Sequence, residues 1–107
     1  MKIGQELQIK EDFKINTIVS NKVITVKQGD KGFIDSVGHL HITTGNGKGK
    51  VVKINNAEVK GYDYENISKL ILNRLNSVFG LEEYFKDEDI DSKEVIDEIE
   101  YILMEIL

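Results

Sequence analysis

The chain has 107 residues and carries 14 Lys and Arg against 19 Asp and Glu, a formal net charge of −5; that length suits one domain, or one small domain with an appended helical element. Cysteine is absent, which excludes disulfides, zinc ribbons, thiolate clusters and cysteine nucleophiles. No apolar run approaches the roughly 20 residues of a membrane helix, and Met1–Lys10 lacks the apolar core of a signal peptide, so a soluble, cytoplasmic protein is expected.

The net charge hides an asymmetry. Residues 1–60 hold ten lysines against six acids, a balance of +4, whereas residues 61–107 hold four basic residues against thirteen acids, a balance of −9. Glycine divides the same way, with eight before Tyr62 and only Gly80 after it. Glycines between short apolar runs indicate strands and turns, and their scarcity favours helix.

In chain order, Leu7 and Ile9 alternate with polar neighbours, as do Phe13 and Ile15, the period of half-buried strands. Lys22–Lys27 is dense in β-branched residues. Gln28-Gly29-Asp30-Lys31-Gly32 breaks it as a turn before Phe33-Ile34, and His39–Thr43 alternates with Leu40 and Ile42 on one face. Thr44–Gly49 reads as a mobile hairpin tip whose Asn46-Gly47 pair tolerates positive φ, and Val51–Ile54 closes the set. Short strands in this number suggest a small antiparallel barrel over residues 1–57.

The period then changes. Asp63 can cap a helix with an apolar stripe through Ile67, Leu70, Ile71, Leu75, Val78 and Phe79, and Gly80 supplies a left-handed stop. Asp91 and Glu94 have capping-box spacing ahead of a second helix striped by Val95, Ile96, Ile99, Ile102, Leu103 and Ile106. Leu81–Ile90 reads as a connector with a short helical turn at Glu82–Phe85. Residues 62–107 are therefore expected to form an acidic two-helix hairpin packed on the barrel.

The segment Ile24-Thr25-Val26-Lys27-Gln28-Gly29-Asp30-Lys31-Gly32-Phe33-Ile34, continued by Gly38–Ile42 and the Gly45–Gly49 loop, resembles the strand–turn–strand of SH3-like barrels of the KOW kind. The resemblance covers about residues 4–56. It implies an α+β chain: an N-terminal SH3-like antiparallel β-barrel followed by the helical hairpin. It leaves function open, because such barrels bind RNA, DNA or peptides. The aromatic-rich surface of the nucleic-acid-binding members is absent.

Few residues suggest chemistry. Gly45–Lys50 lacks the Ser or Thr that a phosphate-binding loop places after its Gly-Lys, since Val51 stands there. His39 and His41 share one face of a strand and could give two imidazoles to a metal, with Asp35 as third ligand if the Ser36–Gly38 turn folds it back; the simpler reading is two solvated histidines. Asp87, Asp89, Asp91 and Glu98 match positions 1, 3, 5 and 12 of an EF-hand loop, but Ser92 stands where Gly is needed and Glu94 where an apolar residue is usual. No catalytic residues, metal site or cofactor are assigned, and an enzyme is not expected.

Two binding surfaces remain. Ten carboxylates fall in nineteen residues from Glu82 to Glu100, and Glu94, Asp97, Glu98 and Glu100 form a candidate face for an unidentified protein partner. Alternatively, Lys27, Lys31, Lys48 and Lys50, with the Gly45–Lys50 loop, could contact a nucleic-acid backbone, although no arginine precedes Arg74 to read bases. The expected function is a non-catalytic binding or adaptor module, of a size and composition suited to an accessory protein of a phage or mobile element. It would act by protein–protein interaction through the acidic half, as a monomer or homodimer and away from membranes.

Overall fold

The computed structural model describes residues 1–16 and 22–107. The chain is α+β and divides into two compact units, Met1–Gly61 and Tyr62–Leu107. In the first, six short strands form: β1 (Glu6–Gln8), β2 (Phe13–Asn16), β3 (Val23–Val26), β4 (Lys31–Ile34), β5 (His39–Ile42) and β6 (Val51–Lys53).

The strands form two antiparallel sheets rather than a closed barrel, one in the order β1-β4-β5-β6 and the other a β2-β3 ribbon. The SH3-like barrel expected from the sequence is therefore corrected. Closure requires every strand to ladder on both sides. Here β2 and β3 pair only with each other and β6 pairs only with β5 among the described strands. Between β3 and β4 the chain turns sharply: Asp30 N–H donates to the Lys27 carbonyl at 3.1 Å, and Gly29 takes a φ of 95°. The run that reads as one continuous strand–turn–strand thus feeds two different sheets.

Register fixes which side chains face inward, because directly opposed residues share a face. Leu7 lies opposite Gly32 and Gly32 opposite Ile42, while Ile34, Leu40 and Val52 form the neighbouring row. Ile34, Leu40 and Ile42, with Val26 and Ile9, make the core, and Leu7, Phe13, Ile15, Val52, Ile54 and Val59 pack around it. Burial of Val26, Ile34 and Ile42 contributes about 1.5–3 kcal/mol each. The opposite face carries a row through all four strands, Glu6–Phe33–His41–Val51, flanked by the Gln8–Lys31 and His39–Lys53 pairs.

The second unit has three helices, not two: α1 (Tyr64–Phe79), α2 (Leu81–Asp87) and α3 (Ser92–Ile106). The connector of the sequence reading is thus mostly helix. Asp63 caps α1 by accepting from Asn66 N–H at 3.1 Å, and Gly80 ends it at a φ of 62° with its N–H on the Asn76 carbonyl. The same Asn76 accepts the Glu82 N–H through its side-chain oxygen at 2.7 Å, satisfying a first-turn donor of α2. That bond holds α2 directly on the end of α1. Asp91 caps α3 through Lys93 N–H at 3.0 Å. Tyr64 Oη donates to the Leu107 carbonyl at 2.9 Å, so α1 and α3 run antiparallel. Leu72 and Ser68 are the buried residues of this unit, and Ser68 Oγ donates to the Tyr64 carbonyl at 2.7 Å. No helix among the described residues is long and apolar enough to cross a membrane.

Candidate functional site

The most structured polar group lies on the outward face of the four-stranded sheet. The β4–β5 turn folds Asp35 back, with its N–H on the His39 carbonyl at 3.0 Å and Gly38 at a φ of 85°. Asp35 Oδ1 accepts from the N–H groups of Val37 (3.0 Å) and His39 (2.9 Å), and Oδ2 lies 2.8 Å from His41 Nε2. Burial alone raises the Asp35 pKa, but the His41 bond and the two backbone N–H groups outweigh it and hold the carboxyl at about 2. His41 also stacks on Phe33, with centroids 4.7 Å apart and planes 8° from parallel.

This arrangement corrects the reading of two solvated histidines. Both rings do share a face, but His41 is bonded through Nε2 and stacked, and both residues are half-buried. Among the described residues, no three His, Asp or Glu side chains are grouped to hold a metal ion. The pair therefore fastens a turn to the strand beside it. Glu6 and Asp35 balance Lys31 and Lys53 here, so the face is mixed in charge rather than basic.

Of the lysines of the alternative surface, Lys27 follows β3, Lys31 opens β4, and Lys48 and Lys50 lie between β5 and β6. Lys31 N–H donates to Thr44 Oγ1 at 2.9 Å, and the Thr43 N–H and hydroxyl both reach the Lys31 carbonyl. Asp30 accepts from Lys27 N–H at 3.1 Å and lies against Gly45. Lys27, Lys31, Lys48 and Lys50 are all exposed. The structure thus links the backbones that carry them, around a carboxylate. The loop differs from a simple Asn-Gly tip: Gly45 and Gly49 take the positive φ angles, 76° and 88°, and Gly47 is buried against Val26.

On the helical unit, Glu94, Asp97 and Glu98 are exposed and continue at helical spacing into the exposed Tyr101 and Glu105. Glu100 departs from them. It is half-buried, at the border of the stripe formed by Val95, Ile96, Ile99 and Leu103. Ile102 and Ile106, part of the expected core stripe, are 51% and 73% exposed. The EF-hand spacing also dissolves: Asp87 ends α2, Asp91 spends its carboxylate on the α3 cap, and Glu98 lies two turns inside that helix.

Sequence reasoning missed a groove. Between the C-terminal half of α1, α2 and the start of α3 lies a half-open cavity of about 460 Å³. Leu72, Phe85, Ile90 and Ile96 supply its apolar lining, and Asn73, Asn76, Glu82, Lys86, Asp91 and Ser92 its polar lining. The available signal was the apolar set Leu81, Phe85 and Ile90 inside a segment read as a connector. No family model, no curated protein and no solved structure matches the chain.

Proposed function

We propose that the protein is a cytoplasmic, non-catalytic binding module that engages a protein partner through its acidic helical unit. The observation that carries this reading is α3 itself. One exposed face bears Glu94, Asp97 and Glu98, while Ile102 and Ile106 stand in solvent beside it. Carboxylates of one sign steer a basic partner into encounter, and exposed apolar side chains supply the area that keeps it bound. The test compares wild type, a Glu94→Lys/Asp97→Lys/Glu98→Lys variant and Ile102→Asp as immobilised baits in lysate of the native host. One protein retained by wild type and lost by both variants is the expected result; identical retention by all three baits removes the reading.

A second reading has its own observation: Lys27, Lys31, Lys48 and Lys50 are all exposed, and the start of β4 at Lys31 is hydrogen-bonded to Thr43 and Thr44 ahead of the loop that bears Lys48 and Lys50. Such a surface supports sequence-independent contact with a phosphate backbone. Asp30 at its centre, and Phe33 already stacked on His41, weigh against it. Salt-dependent retention on heparin and on single-stranded DNA, lost in a Lys48→Glu/Lys50→Glu variant, would favour this reading over the first.

A further inference from the structure

We infer that the groove between α1, α2 and α3 is the anchor site of the helical unit, and that it receives an apolar side chain carried by a basic segment of a protein partner. The inference rests on the reading that the helical unit is the binding surface, and it adds the place and the chemistry of the occupant.

Size comes first. A cavity of about 460 Å³ lies within the range of sites that hold a substantial ligand group, here open on one side as an inserted side chain requires. Its apolar lining, Leu72, Phe85, Ile90 and Ile96, comes from all three helices and the loop before α3, so its shape depends on where α2 sits at the end of α1. An aliphatic or aromatic anchor there would exchange water for contact with four apolar side chains.

Charge selects what surrounds the anchor. Residues 81–94, which build α2 and the rim, contain seven carboxylates against Lys86 and Lys93, and Glu82 and Asp91 lie in the lining itself. Lys or Arg flanking the anchor meet that field favourably. A second copy does not fit, because two helical units placed face to face would each bring the same excess of carboxylates. A small polar metabolite would find two of the lining's polar groups already taken. Asn76 Oδ1 and Asp91 Oδ1 are already committed to the Glu82 and Lys93 N–H groups.

The probe is a fluorescein-labelled helix-forming peptide with Leu at helical spacing and Lys elsewhere, titrated into the full chain by anisotropy. Two controls replace Leu by Ser or Lys by Glu. The inference expects micromolar binding of the Leu/Lys peptide and at least about tenfold weaker binding of both controls. Asn73→Trp, an exposed position that fills the groove, should weaken binding at least about tenfold. Lys86→Glu, which removes the cation of the lining, should tighten it, a gain that misfolding does not mimic. If the Leu/Lys peptide binds but both variants leave its affinity unchanged while Asp97→Lys/Glu98→Lys weakens it, the groove is not the anchor site and only the broader reading of the helical unit survives. Equal binding of the Leu/Glu peptide overturns the charge assignment. Absence of binding by every peptide overturns the proposed occupant, whereas the broader reading is decided separately by the lysate comparison of the three baits.

Discussion

Replacing Asp35 and following stability across pH tests whether its carboxylate fastens the β4–β5 turn. Asp35→Ala removes three hydrogen bonds, from Val37 N–H, His39 N–H and His41 Nε2. The exposed Val37 N–H recovers a water and its loss costs little. The partly buried bonds to His39 and His41 remain, at about 1 kcal/mol each, so Asp35→Ala costs about 2 kcal/mol at pH 7. Asp35→Asn keeps an oxygen for the N–H groups and offers an amide to the imidazole, and costs about half as much. The pH dependence has a definite sign. The carboxyl titrates at about 2 in the folded chain against an ordinary 3.8. Its depressed value stabilises the fold fully above pH 3.8, progressively less as pH falls towards 2, and not at all below 2. Urea unfolding at pH 7, 4 and 2.5 measures this directly, because subtracting each variant from wild type cancels the other acids. The gap should narrow between pH 4 and pH 2.5. A gap that stays constant to pH 2.5, or one below about 0.3 kcal/mol at pH 7, refutes the role given to the pair.

Substitutions at three further positions probe the scaffold. Gly32→Ala would place its Cβ 2.5 Å from the His41 carbonyl and 2.7 Å from Leu40 Cδ1, so β4 and β5 must part; a loss of at least about 2 kcal/mol in urea unfolding is expected, and a neutral result contradicts the register. Asp63→Ala removes the α1 cap and should cost about 1 kcal/mol by the same assay, with Asp63→Asn nearly silent. Ile102→Asp should cost about 1 kcal/mol, because about half of the side chain is covered and Asp is unfavourable near the C-terminus of α3. A loss above about 3 kcal/mol would mean that Ile102 packs fully in the folded chain and is not available to a partner.

The elements of the fold were legible where the signal is local. Five of the six described strands lie within an alternating or β-branched run, whereas β4 starts at Lys31 and Gly32, inside the stretch read as a turn; Asp63, Gly80 and Asp91 perform the capping roles that their residue types suggest. Pairing was not legible. Val23–Val26 and Lys31–Ile34 are separated by a turn that resembles a hairpin connection, yet they belong to different sheets. What decides this is long-range register, such as Leu7 opposite Gly32 and Phe13 opposite Val26, and no pattern within the segment encodes it. The Thr44–Gly49 segment does form the tip between the antiparallel β5 and β6, but the left-handed conformations fall at Gly45 and Gly49 rather than at Asn46-Gly47, and Gly47 is buried against Val26.

The same distinction separates the functional surfaces. Glu94, Asp97 and Glu98 were readable as one face because helical spacing alone places them together, and Glu100 was misplaced because its burial depends on how α3 meets the rest of the unit. The groove depends on tertiary contact still more. Phe85 and Ile90 look like stray apolar residues in an acidic connector until Asn76 is seen to hold the start of α2, which turns them towards Leu72 and Ile96. One side-chain hydrogen bond of 2.7 Å therefore connects the stop signal of α1 to the shape of the candidate anchor site. Asn76→Ala should accordingly cost about 1 kcal/mol through the lost bond to the Glu82 N–H. It should also weaken the Leu/Lys peptide beyond what that small loss of folded protein explains, because the folded chain would keep α1 and α3 but release α2 from the groove. Unchanged peptide affinity at a matched folded fraction would show that α2 is held by other contacts and that Asn76 does not shape the site.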